Sequence, residues 1–217
     1  DIPTDIKYVI TLDADTQLPR GAVAQLVGTF AHPLNYPVFD NRLNRVVEGY
    51  GILQPRVTPT LPEVKESTFF QKISSGPCGI DPYAAAVSDV YQDLFGEGSY
   101  TGKGIYNVDV FEQALKNRTP EDRLLSHDLY EGNFARCGLI SDVEFFEEFP
   151  SNFQVSATRN HRWIRGDWQL LPWILGREGS SISIIGRWKM LDNLRRSLLM
   201  PMSFFLIIFL LLTPEIS

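Results

Sequence analysis

Tyr8-Val9-Ile10-Thr11-Leu12 runs straight into Asp13-Ala14-Asp15-Thr16, and Pro19 follows soon after. An apolar, β-branched run of this length reads as a buried strand of a parallel sheet. Pro19 suits the start of a helix, expected from Pro19 to about Phe30, with Val23, Leu26, Val27 and Phe30 at helical spacing. Strand, acidic turn and helix in that order put both aspartates at the carboxyl end of a strand, where open α/β sheets bind ligands. Two hard oxygen ligands there suit Mg²⁺ or Mn²⁺ holding substrate phosphates. Aspartate is also common in turns that bind nothing, so the turn alone leaves both readings open.

The 217 residues suffice for one sizeable domain with a core, and 44% apolar against 21% charged residues is ordinary globular composition. A net charge of −6 argues against a nucleic-acid partner, which favours a basic surface. Cys78 and Cys137 lack metal-site spacing and read as free thiols of a reducing compartment. The start at Asp1, with no initiator Met or signal peptide, and the stop at Ser217 just after an apolar run read as a piece of a longer chain.

Residues 32–44 are rich in Pro and Asn and read as a loop, and Gly49–Val57 as a second strand closed by Pro55. Helices are expected over 61–73 and 84–94, with a loop over 74–83. The stretch Gly96-Glu97-Gly98-Ser99-Tyr100-Thr101-Gly102-Lys103-Gly104-Ile105-Tyr106-Asn107-Val108 matches neither a Walker loop nor a dinucleotide fingerprint. Its glycines allow close backbone approach to a ligand. Ile105–Val108 alternates like a strand, and Asp109 is the expected cap of a helix over 110–116. A strand floored by Gly102 and Gly104 and carrying Tyr100, Lys103 and Tyr106 suits a sugar acceptor. A mobile surface loop has the same composition.

Three further stretches follow. Ser126 is placed to cap a helix running to Cys137 and ended by Gly138, which sets Asp128 in the first turn, where the helix dipole favours its ionised form. After a strand-like, acidic 139–149, a helix from Arg159 would bring Arg159, Arg162 and Trp163 onto adjoining faces. Two cations beside an indole suit a diphosphate and a stacked sugar, though a surface helix buried by its tryptophans fits as well. Finally, 182–196 interleaves Ile184, Ile185, Trp188, Met190, Leu191 and Leu194 with arginines and a lysine, as interfacial helices do. Leu198–Thr213 carries no charge and is slightly short of a full span. The basic cluster before it fits a membrane entry from the cytosolic side.

Asp-x-Asp-x-Thr after an apolar strand also resembles the haloacid-dehalogenase-like phosphatases. Those would want a downstream Gly-Asp-x-x-x-Asp pair, and here Gly166-Asp167 is followed by Leu171 in place of the second acid. In order, Asp13-Ala14-Asp15, Ser126-His127-Asp128 and Arg159-Asn160-His161-Arg162-Trp163 resemble the processive membrane glycosyltransferases of the cellulose-synthase-like group. The chain departs from that pattern with His127 for a Glu and Arg159 for a Gln. With the Gly-Glu-Gly-Ser-Tyr-Thr-Gly-Lys-Gly-Ile-Tyr and His-Arg-Trp-Ile-Arg-Gly-Asp-Trp-Gln stretches, it looks closer to the cyclic β-1,2-glucan synthases.

That resemblance implies an α/β class: part of a GT-A nucleotide-diphospho-sugar transferase fold over 1–180, an interfacial helix over 181–197, and a truncated transmembrane helix over 198–217. It implies inverting glucose transfer from UDP-glucose to a growing β-1,2-glucan at the cytoplasmic face of a bacterial inner membrane, with other domains of a parent chain as partners. Asp13 and Asp15 would hold Mg²⁺ or Mn²⁺ and, with Arg159 and Arg162, the donor diphosphate. Asp128 would be the base and Trp163 would line the acceptor site. Another processive β-glucan synthase is the nearest alternative; a membrane-anchored carbohydrate-binding module without chemistry is a further one.

Overall fold

The computed structural model describes residues 5–60, 67–74, 89–118, 123–125, 127–178 and 181–213. A four-stranded sheet runs in the order β1 (Tyr8–Thr11), β5 (Gly104–Asn107), β4 (Ile52–Thr60), β6 (Cys137–Glu148). The sheet is mixed. β4 and β6 pair in parallel, whereas β5 is antiparallel to both β1 and β4. The expectation of a parallel, buried β1 is therefore corrected: its pairing is antiparallel and its residues are half-buried. Length and hydrophobicity mark a strand, but the direction of its neighbour is a long-range choice they do not carry.

Helix α1 (Ala22–Phe30) covers one face of this sheet. It starts three residues after the expected Pro19, because Gly21 takes a left-handed φ of 82° and turns the chain into the helix. Leu26 and Phe30 are buried with Leu53, Ile105 and Phe145, while Val23 faces outward. On the opposite face, Ile52 packs with residues of α4 (Val108–Leu115), α5 (Asp128–Ala135), α7 (Leu171–Ile174) and α8 (Ile184–Leu212). Adjacent Ile52 and Leu53 thus serve two cores, as alternation along a strand requires.

Local chemistry accounts for most departures from expectation. The supposed loop over 32–44 contains the first strand of a small hairpin, β2 (Val38–Asp40) with β3 (Arg45–Glu48), whose turn is held by Asp40 Oδ1 accepting from Arg42 N and Leu43 N. Pro55 lies inside β4 instead of closing it, at a break in register with β6 where its missing N–H falls. Asn107, not Asp109, caps α4, accepting from Val110 N. α5 ends at Ala135, where Arg136 takes φ 55°, and Gly138 belongs to β6. There its missing Cβ makes room for the Tyr50 ring. The expected helices over 61–73 and 84–94 correspond in part to α2 (Phe69–Ser74) and α3 (Val90–Phe95). Residues 61–66, 84–88, most of the 74–83 loop with Cys78, and the proposed cap Ser126 lie outside the described residues. Cys137 is buried.

α6 (Phe153–Gln169) begins six residues before Arg159, capped by Asn152 accepting from Val155 N. α8 is one continuous helix through the two segments distinguished in the sequence, with Pro201 inside it. Its first half buries Met190 and Leu194 in the body and turns Ile184, Trp188 and Leu191 outward. By length and composition, α8 is long and apolar enough to cross a membrane.

Candidate active site

The register of β1 against β5 builds the centre of the site. Thr11 lies opposite Gly104, so the acidic turn leaving β1 meets the residue entering β5, Lys103. An isolated bridge between Gln17 and Phe146 then pins the far side of the turn to β6. Thr16 closes the turn by accepting from Asp13 N at 3.1 Å and donating to Glu147 Oε1 at 3.3 Å. As a result Asp13, Asp15 and Glu147 offer carboxylate oxygens all within 4.8 Å of one another. Lys103 Nζ lies 3.0 Å from Asp13 Oδ2 and 2.5 Å from Glu147 Oε1. Burial opposes the charge on Lys103, but Glu147 and then Asp13 outweigh it and leave its pKa raised.

Glu147 is not singled out by the strand-like, acidic reading of residues 139–149. Strand parity held the signal: Val143, Phe145 and Glu147 are all buried, alternating with the more exposed Asp142, Glu144, Phe146 and Glu148. An acid in phase with a core phenylalanine requires a partner. Lys103 and Thr16 are that partner set.

Asp128 stands across from the acidic turn, in the first turn of α5. Gly102, at φ 91°, passes so close that a Cβ there would meet the Asp128 carboxylate at 2.9–3.0 Å. Only glycine provides both that backbone angle and that space. Tyr100 is buried and its hydroxyl is hydrogen-bonded to Thr11 Oγ1 at 3.0 Å. Burial pushes its phenol well above the ordinary range. Lys189 of α8 reaches the same loop, donating to Gly98 O at 2.8 Å and pairing with Glu97 at 3.2 Å.

A cleft of about 770 Å³ gathers these groups. Asp13, Asp15, Tyr100, Gly102, Lys103, Asp128, Arg159, Arg162 and Trp163 all line it. Arg159 lies over the Trp163 ring at 4.7 Å, as the spacing on one helix allows. The α8 residues Asn193, Arg196 and Ser197 close another wall, which sequence reasoning did not assign to the site. Two expected residues are not among the cleft walls. Tyr106 stacks on Phe111 with ring centroids 4.3 Å apart, and Gly104 lies against the Leu53 carbonyl between strands.

No protein-family model matches the chain. A segment of the cyclic beta-(1,2)-glucan synthase NdvB of Rhizobium meliloti is 56% identical to it over 198 residues. The chain is a relative of the cyclic β-(1,2)-glucan synthases. The match takes in 91% of this chain and 7% of the length of that synthase. The resemblance drawn from the ordered motifs is thereby borne out.

In this glucan-synthase relative, the acids Glu131, beside Asp128, and Asp167 have raised pKa values. Burial, and then the charge of Asp128, push Glu131 up to about 7. Burial likewise raises Asp167, a cleft residue, to about 6, with Arg196 opposing the rise. Glu131 is not among the cleft-lining residues. Its raised value has a consequence for stability. A carboxyl that binds its proton more tightly when folded contributes fully below its unfolded pKa, and the contribution is lost as pH rises through the folded value, about 7. Glu131→Gln should therefore unfold at higher denaturant than wild type at about pH 8 and show little advantage at about pH 4. Urea midpoints that run parallel across that window would remove Glu131 as the source.

Proposed function

We propose that the chain is the catalytic segment of an inverting membrane glycosyltransferase that moves glucose from UDP-glucose onto a growing β-1,2-glucan. The observation carrying this reading is the convergence on one cleft of three groups far apart in sequence: Asp13 with Asp15, Asp128, and Arg159 with Arg162 and Trp163. The name of the R. meliloti relative supports the product and linkage. The mixed sheet, with helices on both faces and an acidic turn at the end of a strand, suits part of a GT-A fold over 1–180.

Three clustered carboxylates are hard oxygen donors, and the exposed Asp13 and Asp15 leave room for phosphate oxygens beside them, so the residues fit Mg²⁺ or Mn²⁺. When bound there, such an ion neutralises charge on the donor diphosphate. Arg162 and Arg159 place further positive charge where the diphosphate gains negative charge on leaving. Asp128 receives the proton of the acceptor hydroxyl as it attacks the anomeric carbon from the opposite face. Trp163, 38% exposed at the cleft wall, offers an indole face to the acceptor sugar. Tyr100 acts from beneath, holding the loop to β1 through Thr11.

The outward row Ile184, Trp188 and Leu191 continues into the exposed apolar half of α8. This supports an interfacial stretch over 181–197 and a membrane-inserted one over 198–217, with the cleft at the cytoplasmic face of a bacterial inner membrane. Other domains of the parent chain would process the glucan. The test is incubation of the full-length, detergent-solubilised enzyme with labelled UDP-glucose and Mn²⁺, followed by linkage analysis. Label in a β-1,2-glucan is the expected result. Label in a different linkage, or transfer only from another nucleotide sugar, would overturn the assignment.

A further inference from the structure

Lys103 lines the cleft, and its ammonium is paired with two carboxylates there. It is 6% exposed and sits between Asp13 and Glu147, two of the three carboxylates that cluster at the acidic turn. A cation bridging two carboxylates occupies the electrostatic place that a bound metal ion would take. Three carboxylates within 4.8 Å repel one another unless positive charge lies among them. The side chain is held there from both sides of the sheet: β1 pairing sets Asp13 beside it, and β6 carries Glu147 to it.

We propose that Lys103 is an internal counter-cation of the acidic cluster, a positioning residue that keeps the carboxylates in place without metal and yields Asp13 when a divalent ion binds. This rests on the reading of Asp13 and Asp15 as metal ligands. The device has two consequences. The cluster is preformed, because Lys103 offsets repulsion that would otherwise spread Asp13 and Glu147 apart. Metal uptake is also weakened, because the ion must compete with a like charge 3.0 Å from Asp13 Oδ2. A residue that merely braced the fold would have only the first effect, and its loss would loosen the site. Loss of a competing cation tightens it.

The two are separated by Mn²⁺ binding, read as the loss of the free-ion electron paramagnetic resonance signal on titrating the full-length, detergent-solubilised enzyme. Asp15→Asn provides the baseline for uptake elsewhere on the protein. Lys103→Met should bind Mn²⁺ roughly tenfold more tightly than wild type, the scale of one nearby like charge at a partly screened site. Lys103→Gln keeps a donor toward Glu147 while dropping the charge, so it should show the same gain even if the Met variant does not fold. Mn²⁺ should also raise the melting temperature of the Gln variant more than that of wild type. Unchanged or weaker binding by a folded Lys103 variant, with wild type still taking up Mn²⁺ above the Asp15→Asn baseline, overturns the counter-cation role alone. Wild-type uptake no greater than that baseline overturns the metal reading and this inference with it.

Discussion

Asp128→Asn is expected to cut glucose transfer by roughly 10²–10⁴-fold, the usual contribution of a positioned base, while leaving donor binding close to normal. A sugar hydroxyl is a poor nucleophile at neutral pH, so transfer needs an acceptor for its proton within hydrogen-bond reach. Asp128 lines the cleft, in the first turn of α5, where the helix dipole favours its carboxylate. Its rivals stand less well. Glu131 is not among the cleft-lining residues, and burial with the neighbouring Asp128 charge keeps it protonated up to about pH 7. Asp167 reaches the cleft from α6 and not from the helix start that carries the Ser126-His127-Asp128 motif, although its pKa, raised to about 6, leaves it largely ionised at neutral pH. The amide of Asn is close in shape, so Gly102 can still pass beside it without the clash a larger side chain would bring. Single-turnover transfer under saturating donor and acceptor is the measurement, with Glu131→Gln for comparison. Near-normal transfer by Asp128→Asn, or a larger loss in Glu131→Gln, would move the base elsewhere.

Asp15→Asn should abolish transfer and weaken Mn²⁺-dependent binding of UDP-glucose. The change removes one negative charge from a group of three while leaving an exposed side chain of nearly the same size, so the fold has little reason to respond. Its expected effect is confined to the ligand set. Asp13 and Glu147 remain tied to Lys103, and a cation competing for them would have lost the carboxylate outside those two ion pairs. Equilibrium donor binding with and without chelator, together with glucose incorporation, checks both halves. Transfer that survives both the substitution and chelation would sink the metal assignment.

Where a property depends on a short stretch of chain, the amino acids announced it. The acidic turn after β1, the apolar phase of Leu26 and Phe30, the Arg159–Trp163 spacing and the long uncharged end of α8 all follow from local composition and period. The cap of α4 was legible to within two residues, since Asn107 and Asp109 compete for one role by the same side-chain chemistry, whereas Asn152, the cap of α6, was not foreseen. Strand direction was not legible, because a strand of four residues has the same pattern against a parallel or an antiparallel neighbour. The hairpin of β2 and β3 was hidden for a related reason: strands of three and four residues among turn-forming residues leave too short a period to recognise.

By itself the sequence determined which candidate groups the chain offers: the acids at the end of a strand, the acid at a helix start and the cations beside an indole. The tertiary structure decided which of them share a site. Thr11 opposite Gly104 sets Lys103 against Asp13, a pairing its loop alone did not suggest. The Gln17–Phe146 bridge delivers Glu147, and α8 brings Arg196 into the cleft. Each of these rests on pairing or packing between residues tens of positions apart. Their energies depend on distance in space, which local period and composition do not encode.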